Sequence, residues 1–188
     1  MKDIIVLNGP PGCGKDAIAS RICTLLPEVQ HHEVKYRLIQ LALAISGLTL
    51  EGWLQLNRRE LKEIPAASLG GLTPRQFLIR ISEEYIKPLY GPQYFGMQAA
   101  KRVAVSSAQN FIFSDGGFDA EVQCLSSVGN VHLVHIHREE CTFLGDSRSY
   151  LSADAPYLST YLQVHQVEGN LDVAVAAIAA HMYEWVSK

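Results

Sequence analysis

The residues best suited to chemistry lie near the start of the chain, in the run Gly9-Pro10-Pro11-Gly12-Cys13-Gly14-Lys15-Asp16-Ala17. This run matches the phosphate-binding pattern GxxxxGK[ST] except at its last position, where Asp16 replaces a hydroxyl residue. Glycines in such a loop let successive backbone N–H groups turn toward phosphates, and the lysine reaches the β- and γ-phosphates. We therefore predict that residues 9–17 bind ATP and that Lys15 is catalytic.

Asp16 admits two interpretations. Its carboxylate adds negative charge beside phosphates, where it would spoil the site or only cap the following helix. Alternatively it binds Mg²⁺, because hard cations take carboxylate oxygens readily and Lys15 still supplies positive charge. We favour the second interpretation, which makes Asp16 a catalytic metal ligand. Ala17 lacks a further hydroxyl, so a nucleotide-binding module without catalysis stays open as an alternative.

A second carboxylate follows a buried apolar segment, residues 110–115, which ends in Ser114-Asp115. An acid at the carboxyl end of a strand is typical of the Walker B position, so Asp115 is the other predicted Mg²⁺ ligand. A general base for a hydroxyl acceptor is left open between Asp115, Glu33 and Asp119.

Apolar strands alternate with amphipathic helices along the chain. Strands are predicted at 4–8, 29–35, 110–115, 131–137 and 161–167, and helices at 17–26, 36–46, 53–62, 73–86, 92–105, 119–127 and 171–186. Alternation of this kind predicts an α/β fold with three layers and a central parallel sheet, with ligands at the carboxyl ends of the strands. We expect one domain over residues 1–188, with a helical acceptor-side insertion at about 36–108 and a lid at about 138–158.

Composition narrows the possible functions. The formal net charge of -3 argues against a protein that holds nucleic acid by bulk electrostatics alone. The four cysteines show no CxxC pair, and Cys13 lies inside the phosphate loop, which favours a reducing cytoplasm. We expect no membrane association, because the most apolar runs are too short or too interrupted to span a bilayer. The oligomeric state is open.

The GKD ending of the loop resembles that of the deoxynucleoside monophosphate kinases of tailed phages. Thr73-Pro74-Arg75-Gln76-Phe77-Leu78, Tyr94-Phe95 and Val167-Glu168-Gly169-Asn170-Leu171 resemble further motifs of these P-loop kinases, in the same order. The resemblance implies the P-loop kinase fold, ATP and Mg²⁺ as cofactors, and a place for Arg75 near the acceptor.

The chain departs from that family after the Walker B acid. The family pattern D-x-R-x-x-x-E has an arginine that grips the acceptor's phosphate, whereas here Gly117 occupies the matching position. Losing such a contact should weaken the binding of a monophosphate acceptor by roughly one to two orders of magnitude. This favours an acceptor that reacts through a hydroxyl.

The stretch 141–150, with Asp146-Ser147-Arg148 at its centre, follows the fourth strand, where small kinases have their lid. It resembles a motif of phage P-loop kinases that phosphorylate 5-hydroxymethyl-deoxyuridine in DNA. The expected acceptor is therefore 5-hydroxymethyl-uracil-containing DNA in a phage-infected cell, or else a free deoxynucleoside monophosphate.

Further side chains are assigned to the acceptor and lid regions. Arg148 is preferred over Arg138 as the lid cation that stabilises the transferred charge. Stacking on a base is weighed against packing for Phe118, Tyr150 and Trp53. The set predicted to contact the acceptor comprises Glu33, Arg75, Gly117, Phe118, Asp119 and Asp146. His135 and His137 share a strand face but have no third ligand at suitable spacing, so a metal there is not favoured.

Overall fold

The computed structural model describes residues 1–58 and 60–186. Its centre is a five-stranded sheet with the order β2-β3-β1-β4-β5, in which every neighbouring pair is parallel. The strands are β1 (Lys2–Asn8), β2 (Val29–His32), β3 (Asn110–Phe113), β4 (Gly129–Arg138) and β5 (Thr160–Gln166). The predicted α/β fold with a central parallel sheet is confirmed.

Helices connect the strands and occupy most of the remaining chain. They are α1 (Lys15–Leu25), α2 (Tyr36–Ser46), α3 (Leu50–Leu56), α4 (Pro74–Ile79), α5 (Lys87–Tyr90), α6 (Tyr94–Val105), α7 (Asp119–Gln123) and α8 (Asp172–Val186). Two short 3₁₀ helices, Ala67–Leu69 and Cys124–Ser127, and a π-helical segment, Arg80–Ile86, complete the helical structure described.

The chain forms two compact units, one of residues 1–34 with residues from 96 onward, and one of residues 35–95. The first unit contains the sheet, and the second is helical. A buried cluster forms the core of the second unit: Ala42, Trp53, Leu69, Phe77 and Ile81. Trp53 is fully buried there, so packing is the role that the structure gives this aromatic side chain.

Both faces of the sheet in the first unit are covered. Ile5 and Leu7 of β1 pack in one cluster with α1 and α8, whose contributions are Ile18, Ala19, Ile22, Ala174, Val175, Ile178 and Met182. Val6 points to the opposite face, where an added Cβ at Gly116 would lie 2.2 Å from Val6 and 3.3 Å from Val122 of α7. The alternation of β1 therefore builds a three-layer structure.

Several element boundaries differ from those predicted. The strand predicted at 29–35 ends at His32, and the one predicted at 110–115 ends at Phe113. The helix predicted at 53–62 spans Leu50–Leu56, because the Thr49 side chain caps it by accepting from the Gly52 N–H. The predicted capping box of Thr73 and Gln76 is present.

The helix predicted at 73–86 does not end at Ile86. The chain stays helical to Tyr90, through the π-helical segment, in which the Lys87 N–H donates to the Ser82 carbonyl. Pro88 then lies in the first turn of α5, where the missing N–H of proline costs little.

Within the described residues, no single helix has the length and apolarity needed to cross a bilayer. Among the same residues, one bent pair of helices, α2 with α3, meets the length and composition together, with a bend of 105° between the two.

Candidate functional site

The phosphate loop joins β1 to α1 at the carboxyl edge of the sheet. Gly9 can only be glycine there, because a Cβ would lie 2.6 Å from the Ile136 carbonyl oxygen. Gly14 precedes α1 with φ 95°, in the left-handed region that favours glycine. The glycines therefore bring the loop against β4 and direct it into α1, whose positive N-terminal end faces the loop.

Lys15 folds back over this loop. Its ammonium donates to the Gly9 carbonyl at 2.7 Å and to the Pro10 carbonyl at 2.8 Å, and it lies 3.6 Å from the Cys13 sulfur. Burial lowers the pKa of Lys15 and raises that of the Cys13 thiol. Cys13 is fully buried, so its thiol is a small packing group and Lys15 is the cation of the loop.

Asp16 is held by a residue that the sequence analysis did not single out. Its Oδ1 accepts a 2.6 Å hydrogen bond from the hydroxyl of Ser114, and that hydroxyl lies 2.9 Å from Nε2 of His31. Since the Ser114 proton is donated to Asp16, Nε2 of His31 must be the donor to Ser114. The position of Ser114 directly before a predicted metal ligand was the one sequence signal that could have identified it.

Asp115 follows Ser114, and its Oδ1 accepts a 2.8 Å hydrogen bond from the backbone N–H of Val34. The carboxylates of Asp16 and Asp115 are thus both attached to the segment that leaves β3. Among the described residues, no group of three or more His, Cys, Asp or Glu side chains could hold a metal ion. Two carboxylates nevertheless fit Mg²⁺, which takes one or two of them together with water and substrate phosphates.

Arg148 comes to the same place from the segment between β4 and β5. Its Nε and Nη2 donate to the two carboxylate oxygens of Asp146 at 2.8 and 2.7 Å, and the Asp146 side chain is only 4% exposed. The charge of Arg148 also interacts with those of Asp115 and Lys15. The structure therefore brings together four residues predicted to be catalytic: Lys15, Asp16, Asp115 and Arg148.

The stem of Arg148 lies where a side chain at position 117 would be. A Cβ on Gly117 would stand 2.4 Å from Cδ and 3.0 Å from Cγ of Arg148. Glycine at this position is therefore what admits Arg148. The arginine that the sequence lacks at position 117 is matched in space by one that lies 31 positions later in the chain.

The other predicted acceptor and lid residues lie in different settings. Asp119 accepts a 2.6 Å hydrogen bond from the Tyr157 hydroxyl, and Phe118 is the residue immediately before α7. The Glu33 carbonyl accepts from Arg102 at 3.0 Å. Arg75 lies in the second unit, 3.8 Å from Glu63.

Arg138 contacts the phosphate loop as well. Its Nη1 donates to the Gly12 carbonyl at 3.1 Å, and its Nη2 pairs with Glu168. Both candidate lid cations therefore lie near the phosphate loop. Arg138 forms an ion pair with an exposed glutamate, and Arg148 forms one with a buried aspartate.

A ring cluster lies next to this region. Tyr150 stacks on His137 with centroids 4.5 Å apart, contacts His135 at 4.7 Å, and donates its hydroxyl to the Ile136 carbonyl at 3.0 Å. His165 also stacks on His137, with ring centroids 5.5 Å apart. These contacts give Tyr150 a packing role that anchors the segment after β4.

The fold and site define a class of protein, that of parallel α/β sheets whose first strand is followed by a glycine-rich loop of the phosphate-binding pattern. A family model described as magnesium chelatase, subunit ChlI, matches residues 2–60, less than half of the chain but including β1, the loop and α1. No curated protein matches the chain at a significant level.

Two solved structures illustrate the similarity to known folds. A sugar kinase from Janibacter sp. HTCC2649 is 13% identical, with 100% of this chain and 95% of that chain covered and a TM-score of 0.49. Shikimate kinase from Aquifex aeolicus vf5 is 13% identical, with 96% of each chain covered and a TM-score of 0.43. Likeness at this level does not establish a reaction or an acceptor.

Proposed function

We propose that this protein is an ATP- and Mg²⁺-dependent phosphotransferase that acts on a nucleotide-type acceptor. The observation that carries the proposal is the convergence of two cations, Lys15 and Arg148, and two carboxylates, Asp16 and Asp115, at one glycine-rich loop. Cations around a bound polyphosphate and carboxylates for its metal are the parts that phosphoryl transfer requires.

Each residue has a distinct part in this proposal. The loop backbone and Lys15 hold the β- and γ-phosphates, which Lys15 reaches by exchanging its two carbonyl partners for phosphate oxygens. Asp16 and Asp115 would hold Mg²⁺ directly or through water, and the ion would neutralise charge on the phosphates. Arg148 stabilises the charge of the transferred group. Asp115, Glu33 and Asp119 are the candidates to accept a proton from a hydroxyl acceptor.

The first candidate acceptor is the 5-hydroxymethyl group of 5-hydroxymethyl-deoxyuridine in phage DNA. The resemblance of residues 141–150 and the lack of an arginine at position 117 support it. The second candidate is a free deoxynucleoside monophosphate. The location of the Arg148 stem over Gly117 favours this one, because it brings an arginine to the position that lacks its own.

The test supplies ATP labelled at the γ-phosphate to the purified protein. One arm contains 5-hydroxymethyl-uracil DNA with thymine DNA as its control, and the other contains the free deoxynucleoside monophosphates. Label in the modified DNA alone supports the first candidate, and labelled diphosphates support the second. Binding of ATP without transfer in either arm would reject both and leave the non-catalytic module.

Lys15→Ala is the first variant to assay. We expect phosphoryl transfer to fall to background, because Lys15 is the loop cation that neutralises charge on the β- and γ-phosphates. Lys101→Ala, at an exposed lysine of α6, is the matched control and should keep wild-type activity. Full activity of Lys15→Ala would contradict the phosphate-loop assignment.

A further inference from the structure

Asn8 is the last residue of β1, directly before the phosphate loop, and it is 1% exposed. Its amide nitrogen donates to the Gly116 carbonyl at 3.0 Å and to the Ser149 carbonyl at 3.3 Å. Its amide oxygen accepts from the Leu151 N–H at 3.0 Å. One buried carboxamide therefore makes three hydrogen bonds to backbone groups, and none of these groups belongs to a neighbouring residue.

Those backbone groups come from the two segments that carry the rest of the site. Gly116 lies between Asp115 and Gly117, whereas Ser149 and Leu151 lie one and three positions after Arg148. Asn8 thus joins the strand before the phosphate loop to the acidic segment on one side and to the arginine segment on the other.

Asn8 gives the arginine segment an attachment that the partner of Arg148 does not. That partner, Asp146, is two residues away from Arg148 in the same segment, so their contact orients the guanidinium within the segment and does not fix the segment to the sheet. The space over Gly117 admits the aliphatic stem of Arg148, whose carbons form no hydrogen bonds. Asn8 holds both sides of that space, through Gly116 and through Ser149.

We infer that Asn8 is a positioning residue, whose carboxamide sets the Arg148 guanidinium beside the phosphate loop by fixing the backbone of residues 149–151 against Gly116. This inference rests on the proposed phosphotransferase function for its consequence in catalysis. A side chain in this place must donate twice and accept once, which an amide does and a carboxylate cannot.

The experiment compares Asn8→Ala and Asn8→Asp with Asn130→Ala. Asn130 is the matched control, because its amide also bridges two strands by donating to Asp3 at 3.0 Å. It lies at the start of β4, at the end of the sheet away from the loop. Asn8→Asp keeps the volume of the side chain but places a carboxylate against two carbonyl oxygens.

The first readout is trypsin cleavage after Arg148, which requires no enzymatic activity. We expect both Asn8 variants to be cleaved there about tenfold faster than wild type and Asn130→Ala to be cleaved at the wild-type rate. Unchanged cleavage in folded Asn8 variants would overturn the inference. If both variants fail to fold, hydrogen exchange of the wild-type protein decides. The Leu151 amide should then be protected from exchange. Exchange at the rate of an unstructured peptide would overturn the inference.

The second readout is a double-mutant cycle on turnover. Asn8→Asp should lower kcat by roughly tenfold to a hundredfold with little change in the KM for ATP, since misplacement by about 1 Å can cost that much. In an Arg148→Ala background the same substitution should cost little more, because residues that act through one another are not additive. An equal loss in both backgrounds would show that Asn8 does not act through Arg148.

The two readouts separate this inference from the function on which it rests. If wild type transfers phosphate to no acceptor, the proposed function fails, and the trypsin comparison still decides whether Asn8 holds the arginine segment.

Discussion

At the scale of single residues, Ser114 supplies the hydroxyl that the loop lacks at position 16. The phosphate-loop pattern has a hydroxyl after its lysine, and here that position carries a carboxylate. Ser114, next to Asp115 at the end of β3, returns a hydroxyl to the site and donates it to Asp16 at 2.6 Å. Asp16, Ser114 and Asp115 therefore place a hydroxyl and two carboxylates where the loop meets the end of β3.

Removing the Ser114 hydroxyl tests this arrangement. A hydrogen bond to a charged group contributes about 1.5–3 kcal/mol, so Ser114→Ala should raise the Mg²⁺ concentration needed for ATP binding by roughly tenfold or more. Titration of Mg²⁺ at fixed ATP measures the shift. Ser126→Ala, whose hydroxyl bonds only its own helical turn at Gln123, is the control. An unchanged Mg²⁺ requirement would show that Asp16 needs no such support.

Gly117→Ala tests the space that Arg148 occupies. The new Cβ would overlap Cδ of Arg148, so the arginine must move away from the loop. We expect kcat to fall by about tenfold or more while ATP binding persists. Gly52→Ala in α3, where an added Cβ meets its neighbours at 3.4 Å or more, controls for the substitution itself. Wild-type turnover in Gly117→Ala would remove Arg148 from the mechanism.

At the scale of elements, the segment between β4 and β5 has little regular structure, and side chains attach it to the rest of the first unit. Asn8 holds residues 149–151, Tyr150 packs among the histidines of β4, and the Tyr157 hydroxyl donates to Asp119 of α7. A predicted lid carried on such contacts can open when a few of them break, without unfolding of the sheet.

Two substitutions at Tyr150 separate its hydrogen bond from its ring. Tyr150→Phe removes only the bond to the Ile136 carbonyl and should weaken the attachment by about 1 kcal/mol. Tyr150→Ala also removes the stacking on His135 and His137 and should cost about 3 kcal/mol or more. The rate of trypsin cleavage after Arg148 should rise in that order. Equal rates in both variants would mean that the ring contributes nothing.

The order of strands and helices could be predicted because each has its own local signal. The apolar run of β1, the capping box at Thr73 and the cap at Asn170, which accepts from the Asp172 N–H, are all local. The extension of the helix past Pro88 was missed, because a proline after a helical pattern predicts its end, whereas here Pro88 lies in the first turn of α5.

The candidate site could be predicted only in part, for a related reason. Loop glycines and Lys15 share a short motif, whereas the contacts of Asn8 with Ser149 and of Arg148 with Gly117 join positions far apart in the chain. Such contacts depend on the strand order and on the path of an irregular segment, neither of which has a periodic signal. The sequence interpretation of Gly117 as a lost arginine is therefore incomplete.

At the scale of the whole molecule, histidines tie stability to pH. Burial lowers the pKa values of His32 and His135 to about 4, and it lowers those of His132 and His137 as well. Nε2 of His135 and of His137 finds no hydrogen-bond partner among the described residues. A proton added there would create a buried charge, which the fold disfavours.

The sign of the effect follows from the direction of these pKa changes. In the unfolded chain a histidine titrates near 6.5, so between about pH 6.5 and 4 the unfolded state binds more protons than the folded state. The stabilisation from the neutral histidines is complete above that window. It is lost as the pH falls through it.

His135 is the best single test, because it is 6% exposed and lies among His137, Tyr150 and Tyr161. The free energy of unfolding of wild type should fall between pH 6.5 and 4, with His135 contributing on the order of 2 kcal/mol. His135→Gln removes the titrating ring and should reduce the fall by about that amount, even if its stability at pH 7.5 is lower. Denaturant unfolding at several pH values measures both slopes. Parallel slopes for the two proteins would mean that the His135 ring takes up its proton equally in the folded and unfolded states. The ring cluster around Tyr150 would then not be the source of the acid sensitivity.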